Sequence, residues 1–316
     1  MSLVAIDVGG TNVRFAMVDS DSSLSAHQSF LCADFATIND AFSAFAATTD
    51  VKISAAAICI AGPVKDDWVS VTNNHWVFSK HQLCRDLGLQ QLLVVNDFTA
   101  QALAQADPAG HGNIRLLEGK SQSQAPLLVI GPGTGLGVSA LIPAASGLIP
   151  IEGEGGHVGL SPQSDEEMKL FEALAAELPF VSVEDVISGR GLERIYQHLS
   201  SGQKKAAPHI GMDALAQEGL DRDAAQMMLG LLGTVIADSA LMLGCWQGVV
   251  IAGGIVAQLQ PLIATSAFAD RLRHGGLMSD LLTDLPVWLS VDPHAGLRGA
   301  AAAFENENLR GRIIAG

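Results

Sequence analysis

Three times the chain runs an apolar strand directly into glycine. "DVGGTN" occupies residues 7–12, "GPGTGLG" residues 131–137 and "AGGI" residues 252–255, each after a β-branched or leucine-rich run. Glycine permits positive φ and close backbone approach, and successive N–H groups in such a turn form a concavity that binds anions. Around the first turn, Val4 and Ile6 precede and Val13, Phe15 and Met17 alternate afterwards, the pattern of a hairpin. "PLLVIGPGTGLGVSALI" repeats the order of strand, glycine turn and strand with different residues. The architecture repeats where the sequence does not. Further apolar strands are expected at "ISAAAICIAG" and "QLLVVND", so the chain reads as an α/β protein.

Length sets the number of cores. At 316 residues, about two domains is the natural expectation. Hydrophobic residues make up 48% and charged residues 16%, the balance of a compact soluble enzyme rather than a disordered chain. The net charge of −15 argues against a nucleic-acid partner, which needs a basic stripe to neutralise phosphates. Local backbone amides and a cation still allow a nucleotide to bind. Cys32, Cys59, Cys84 and Cys245 have neither zinc-ligand nor disulfide-framework spacing and read as reduced core thiols. The N-terminus enters a strand with no signal-like segment, so a cytoplasmic location is expected. Residues 121–151 carry no charge and are long enough to span a bilayer. Five glycines and four prolines inside that run rule out a single helix, and no membrane association is expected.

A Pro/Gly-bearing stretch at residues 107–112 separates the two series of strands. A buried apolar helix is expected from about residue 224 to 245, and an alanine-rich helix over about residues 296–304 that folds back on the first domain. Two motifs mislead. "GLGVSA" matches a dinucleotide fingerprint, but Pro143 and a strand-like run follow where a helix is required. "GKS" at residues 119–121 resembles the end of a P-loop, but Ile114 stands where the earlier glycine belongs.

The polar residues cluster at strand ends and in glycine-rich loops. "VVNDFTA" places Asn96 and Asp97 at the carboxyl end of an apolar strand, where open α/β sheets bind ligands. Asp97 either caps the helix that follows or faces that ligand. "PIEGEGGHVGL" offers Glu154 and His157 at a spacing that would suggest metal ligands on a helix, which Gly153, Gly155 and Gly156 make improbable. A loop carboxylate that accepts and an imidazole that donates suit a polyol. In "VSVEDVISG", Ser182 and Asp185 form a potential capping box, with Glu184 in its first turn. Trp68 and Trp76 of "DDWVSVTNNHWVFS" read as core. Asp7, ahead of the first glycine turn, suits a metal–nucleotide complex, because Mg²⁺ keeps most of its waters and takes one or two carboxylates plus phosphate oxygens.

Together, "DVGGTNVR", "DDWVSVTNNHWVFS", "VVNDFTA", "GPGTGLGV", "GEGGHVGL", "VSVEDVISGRGL" and "IAGGIV" resemble the bacterial glucokinases, in the non-zinc branch of the sugar kinase, Hsp70 and actin superfamily. The zinc-binding cysteine cluster of many repressor-like sugar kinases is absent. The resemblance implies a two-lobed, actin-like (ribonuclease H-like) α/β ATPase fold with an interdomain cleft that closes on the sugar. The smaller domain is expected at residues 1–108 and 297–316, and the larger at 109–296. It implies ATP-dependent phosphorylation of glucose to glucose 6-phosphate, a glycolytic step. Asp97 would be the general base and Asn96, Glu154, His157 and Glu184 would bind the sugar. Asp7, Gly9, Gly10, Thr11, Asn12, Gly133, Thr134, Gly135 and Gly137 would hold ATP phosphates and Mg²⁺, the ion reached from Asp7 through water. Gly253 and Gly254 would lie at the nucleotide. Many members are dimers, so a homodimer is expected. The alternatives are a kinase of fructose, mannose or an N-acetylhexosamine on the same fold, or a sugar-responsive regulator. A regulator should carry a basic DNA-binding module, and the sequence starts at a strand.

Overall fold

A computed structural model of the chain describes residues 1–110 and 112–316. His111, inside the Pro/Gly-bearing stretch, lies outside the described residues. The chain forms two compact units. Unit 1 comprises Met1–Asp107, Pro143–Glu152 and Asp292–Gly316, and unit 2 comprises Pro108–Ile142 and Gly153–Val291.

The first segment of unit 1 supplies β1 (Leu3–Val8), β2 (Asn12–Val18), β3 (Leu24–Leu31), α1 (Ile38–Ala46), β4 (Ala55–Ile60), β5 (Trp68–Ser70), β6 (Val77–Ser79), α2 (Lys80–Asp86), β7 (Gln91–Asn96) and α3 (Asp97–Ala104). Unit 2 supplies β8 (Ile114–Leu117), β9 (Leu127–Pro132) and most of β10 (Leu136–Ala144). The next strand, β11 (Gly147–Glu152), groups with unit 1. Unit 2 continues with α4 (Asp165–Ala175), α5 (Gly189–Leu199), α6 (Ala207–Ala216), α7 (Leu220–Leu243), β12 (Gly248–Ile251), α8 (Gly254–Leu259), α9 (Phe268–Arg273), α10 (Ser279–Thr283) and β13 (Val287–Leu289). The chain then returns to unit 1 with α11 (Ala295–Glu305) and β14 (Ile314–Ala315).

In unit 1 the sheet order is β14-β7-β4-β1-β2-β3. The β1–β2 hairpin is antiparallel, while β1, β4 and β7 run parallel. All six residues of β4 are buried, as expected for a parallel strand covered on both faces. Phe15 of β2 stacks on Phe45 of α1 with centroids 5.0 Å apart. Trp76 is buried and its indole N–H donates to the Phe35 carbonyl. Trp68, expected in the core, is instead 67% exposed. It sits on β5, which pairs with β6 alone, and such a ribbon turns one face to solvent.

The alanine-rich α11 packs against α3. A Cβ at Gly299 would overlap the Ala100 carbonyl of α3, so glycine sets how closely the helices approach. At the start of α11, Asp292 accepts from Arg298 at 2.6 and 2.7 Å and from the His294 N–H at 2.9 Å. Burial pushes its carboxyl up, but the Arg298 and His294 bonds outweigh it and hold the pKa below the ordinary value.

In unit 2, β9 pairs antiparallel with β10 and parallel with β12, which in turn pairs with β13. The long apolar helix is α7, which begins after Gly219 and ends where Gly244 takes a left-handed φ of 65°. It is long and apolar enough to cross a membrane, but 56% of its most apolar window is buried within the protein. Gly233 explains part of that packing, because a Cβ there would overlap the Phe268 carbonyl of α9.

Gly299→Ala tests the α3–α11 contact. Alanine improves helix propensity by about 1 kcal/mol, whereas forced overpacking costs about 1 to 3 kcal/mol, and overlap with a backbone oxygen puts the site at the upper end. The variant should unfold at a lower urea concentration than the parent. An equal or higher midpoint would contradict the close packing.

Candidate active site

The expected site residues fall into two groups, one in each unit, and each group is bonded internally. In unit 1 they gather at the carboxyl ends of the parallel strands. Asp7 of β1 lies opposite Cys59 of β4, Cys59 lies opposite Val95 of β7, and Ile60 lies opposite Asn96. The helix cap is Asn96, not Asp97. With ψ at 147°, Asn96 is extended, and its Oδ1 accepts the N–H groups of Phe98 and Thr99. Its Nδ2 donates to the Gly62 carbonyl at 3.0 Å, leaving one amide hydrogen for a ligand. Asp97 is the first residue of α3, half-buried, with Oδ1 accepting the Phe98 N–H at 2.9 Å.

Asp7 is held on three sides. Oδ2 accepts from Arg14 at 3.0 Å, Oδ1 lies 3.5 Å from the Cys59 sulfur, and a Cβ at Gly296 would press on the carboxylate. The Cys59 thiol is fully buried, and burial followed by the fields of Asp7 and Asp97 pushes its pKa well up. It therefore stays protonated and donates. The turn after Asp7 is closed by the Gly9 N–H on the Asn12 carbonyl and fastened by the Asn74 amide on the Gly9 carbonyl.

In unit 2 the second glycine turn joins β9 to β10. The Gly133 N–H donates to the Gly135 carbonyl at 2.8 Å, and the Gly189 N–H donates to the Gly133 carbonyl at 2.9 Å. The Leu136 N–H donates to Glu184 Oε2 at 2.8 Å. A Cβ at Gly135 would push against that carboxylate, so a side chain there would have to shift the Glu184 end away from its bond to Leu136. The third glycine stretch adjoins the second. Gly253 has φ of 101°, and a Cβ there would meet the Pro132 carbonyl.

The loop carrying Glu154 and His157 forms a short 3-10 turn at Gly155–His157. It is tied to the segment carrying Glu184, since the Leu160 N–H donates to the Val181 carbonyl and the Val183 N–H to the Val158 carbonyl. Among the described residues, neither the Glu154 nor the His157 side chain has a hydrogen-bond partner, and both are exposed. The capping box expected at Ser182 and Asp185 is present, with Asp185 Oδ2 accepting from both the Ser182 N–H and hydroxyl.

A model of the glucokinase family matches residues 3–307. A glucokinase of Neisseria meningitidis is 34% identical over 307 residues, covering 95% of this chain and 94% of that protein. The chain belongs to the glucokinase family. A crystal structure of glucokinase from an Antarctic psychrotroph superposes with a TM-score of 0.88 at 30% identity, covering 97% of this chain and 99% of the other. A ROK-family glucokinase from Streptomyces griseus, solved with glucose and AMPPNP, shares the fold with a TM-score of 0.66 at 22% identity, covering 95% of this chain and 98% of the other. The fold class is that of the actin-like sugar kinases, as the resemblance implies.

Three further side chains, Arg14, Cys59 and Arg190, contact the expected site carboxylates Asp7 and Glu184. Arg14 and Arg190 stand inside "DVGGTNVR" and "VSVEDVISGRGL", and a cation beside a carboxylate motif is a signal the sequence carries. Arg190 Nη2 lies 3.5 Å from Glu184 Oε1. Cys59 gave no signal, because its role depends on strand pairing. A concavity of about 610 Å³ in unit 1, lined by Lys65, Lys80, His81, Glu152 and Arg312 among others, contains none of the expected site residues.

Asp185 links the capping turn to pH. Burial raises its pKa, but the two Ser182 bonds and Arg194 outweigh burial and hold it below the ordinary 3.8. With the folded pKa below the unfolded one, its contribution is complete above the unfolded value and disappears as pH falls through the folded value. Asp185→Asn should therefore lose stability less steeply than the parent between about pH 5 and pH 2, read from urea midpoints. Parallel profiles would contradict the assignment.

Proposed function

We infer that the chain transfers the γ-phosphoryl group of ATP to the 6-hydroxyl of glucose, giving glucose 6-phosphate and ADP. The observation that carries this reading is the placement of Asp97 at the start of α3, on the carboxyl end of β7, in a chain matched from residue 3 to residue 307 by the glucokinase family. Phosphoryl transfer asks a protein for positioning and charge neutralisation rather than covalent chemistry. One carboxylate is enough to take the hydroxyl proton as the bond to phosphorus forms.

In this mechanism Asp97 is the general base and Asn96 offers its remaining amide hydrogen to the sugar. Glu154 and Glu184 accept from sugar hydroxyls, and His157 donates to one. Backbone N–H groups around Gly9, Gly10, Thr11 and Asn12, and around Gly133, Thr134, Gly135 and Gly137, receive phosphate oxygens, with Gly253 and Gly254 at the nucleotide. Mg²⁺ accompanying the nucleotide would neutralise phosphate charge. Asp7 fits that ion, because one carboxylate acting through water suits a cation held mainly by phosphates. Among the described residues no group of three or more His, Cys, Asp or Glu side chains is gathered as a metal cage. We place the enzyme in the cytoplasm, as a homodimer, and the four buried free thiols support a reducing compartment. The two compact units would be the two lobes of the actin-like fold.

Asp97→Asn should lower kcat by roughly 10² to 10⁴-fold while glucose still binds, measured by a coupled assay of ADP release and by calorimetry. Retention of most of the activity would remove Asp97 as the base. Glu154→Gln should weaken discrimination among hexoses, because a mispaired buried hydroxyl costs about 1 to 3 kcal/mol. An unchanged ranking of kcat/KM across glucose, mannose, fructose and N-acetylglucosamine would contradict its role.

A further inference from the structure

The Glu184 carboxylate is divided between two neighbours. Oε2 is fixed by the Leu136 N–H of the glycine turn at 2.8 Å, while Oε1 faces the Arg190 guanidinium at 3.5 Å. The two contacts differ in strength. The first is a charge-assisted bond to a backbone group in a side chain that is only 18% exposed. The second is long, and Arg190 is 66% exposed, the setting in which an ion pair contributes little. Among the described residues, Glu184 is the carboxylate paired with Arg190.

Arg190 is also placed beside the turn assigned to phosphate. Its neighbour Gly189 donates its N–H to the Gly133 carbonyl, and Ser188 caps α5 through the Gly191 N–H. Arg190 thus follows immediately on a residue whose backbone is bonded to the Gly133–Gly137 turn. Its planar fork matches phosphate oxygens in pairs, which a lone carboxylate oxygen at 3.5 Å does not satisfy.

We propose that Arg190 is exchanged between Glu184 and the phosphates of the nucleotide, so that sugar and nucleotide tighten each other's binding. Sugar hydroxyls that donate to Oε1 displace the weakly held guanidinium, which then turns to the phosphates on the neighbouring glycine turn. Read in the other direction, phosphates that recruit Arg190 leave Oε1 open to the sugar. The two statements are one equilibrium, since coupling between two binding sites is reciprocal. The Leu136 bond keeps the carboxylate in place throughout. This rests on the assignment of Glu184 as a hydroxyl acceptor for glucose.

The test is calorimetric binding of AMPPNP with Mg²⁺ to the whole protein, with and without saturating glucose. Glucose should tighten AMPPNP by about fivefold or more in the parent, within the usual range of such coupling. In Arg190→Ala that ratio should fall below about twofold, AMPPNP alone should bind no tighter than to the parent, and glucose alone should bind at least as tightly as to the parent. Arg190→Lys, which keeps charge without the fork, should fall between them. A purely structural role would weaken both ligands together and leave the ratio intact. A ratio unchanged in Arg190→Ala, or no coupling in the parent, overturns the proposal. Glu184→Gln separates the two levels: parental glucose affinity in that variant removes the sugar-binding assignment, whereas weakened glucose with coupling retained in Arg190→Ala removes the exchange alone.

Discussion

The junction of β7 and α3 in unit 1 depends on the side chain of Asn96. One amide closes the first turn of α3 through two N–H groups and anchors the carboxyl end of β7 to the Gly62 carbonyl. A helix start leaves its first N–H groups without partners. Asn96 supplies the acceptor for two of them, and Asp97 Oδ1 shares the Phe98 N–H. Asn and Asp are about equally good caps, so their order along the chain decides that Asn96 is the N-cap and Asp97 the first residue of α3. The parallel register of β1, β4 and β7 then sets Asp7 on the same edge of the sheet, with the buried Cys59 thiol donating to it rather than adding a third negative charge.

Unit 2 uses a carboxylate where unit 1 uses an amide. Glu184 fastens the segment ahead of α5 to the Leu136 N–H, and the Gly189 N–H adds a second bond to the same turn. Glycine at 135 leaves the space that the Glu184 carboxylate occupies. The residues proposed for sugar recognition and those proposed for phosphate binding therefore share one hydrogen-bonded assembly. A change at Glu184 would be felt at the glycine turn even without direct contact with a phosphate.

Much of this was legible in the sequence, and the exceptions have physical reasons. The hairpins around both glycine turns follow from alternating apolar residues and the absence of Cβ atoms. The apolar helix expected at residues 224–245 is α7 at Leu220–Leu243, its start set by Gly219 and its end by Gly244. The Ser182–Asp185 box was readable because capping is local. The strand at Leu24–Leu31 was not, since "LSAHQSFL" has no regular apolar alternation and exists by pairing as the sheet edge beside β2. Trp68 misled because apolar character alone does not say whether a ribbon is covered. Close approach is the need most clearly visible at Gly135 and Gly299, and the backbone or carboxylate each accommodates is remote in sequence. For the same reason the pairing of Arg190 with Glu184 could not be read from spacing.

The central claim is that this chain phosphorylates glucose at the expense of ATP. The most direct test is to incubate the purified protein with Mg²⁺ and ATP against separate hexoses, following products by phosphorus NMR. Stoichiometric ADP and glucose 6-phosphate are expected, with glucose the preferred acceptor. Phosphorylation of another hexose in preference to glucose, or ATP hydrolysis without a phosphorylated sugar, would contradict the claim.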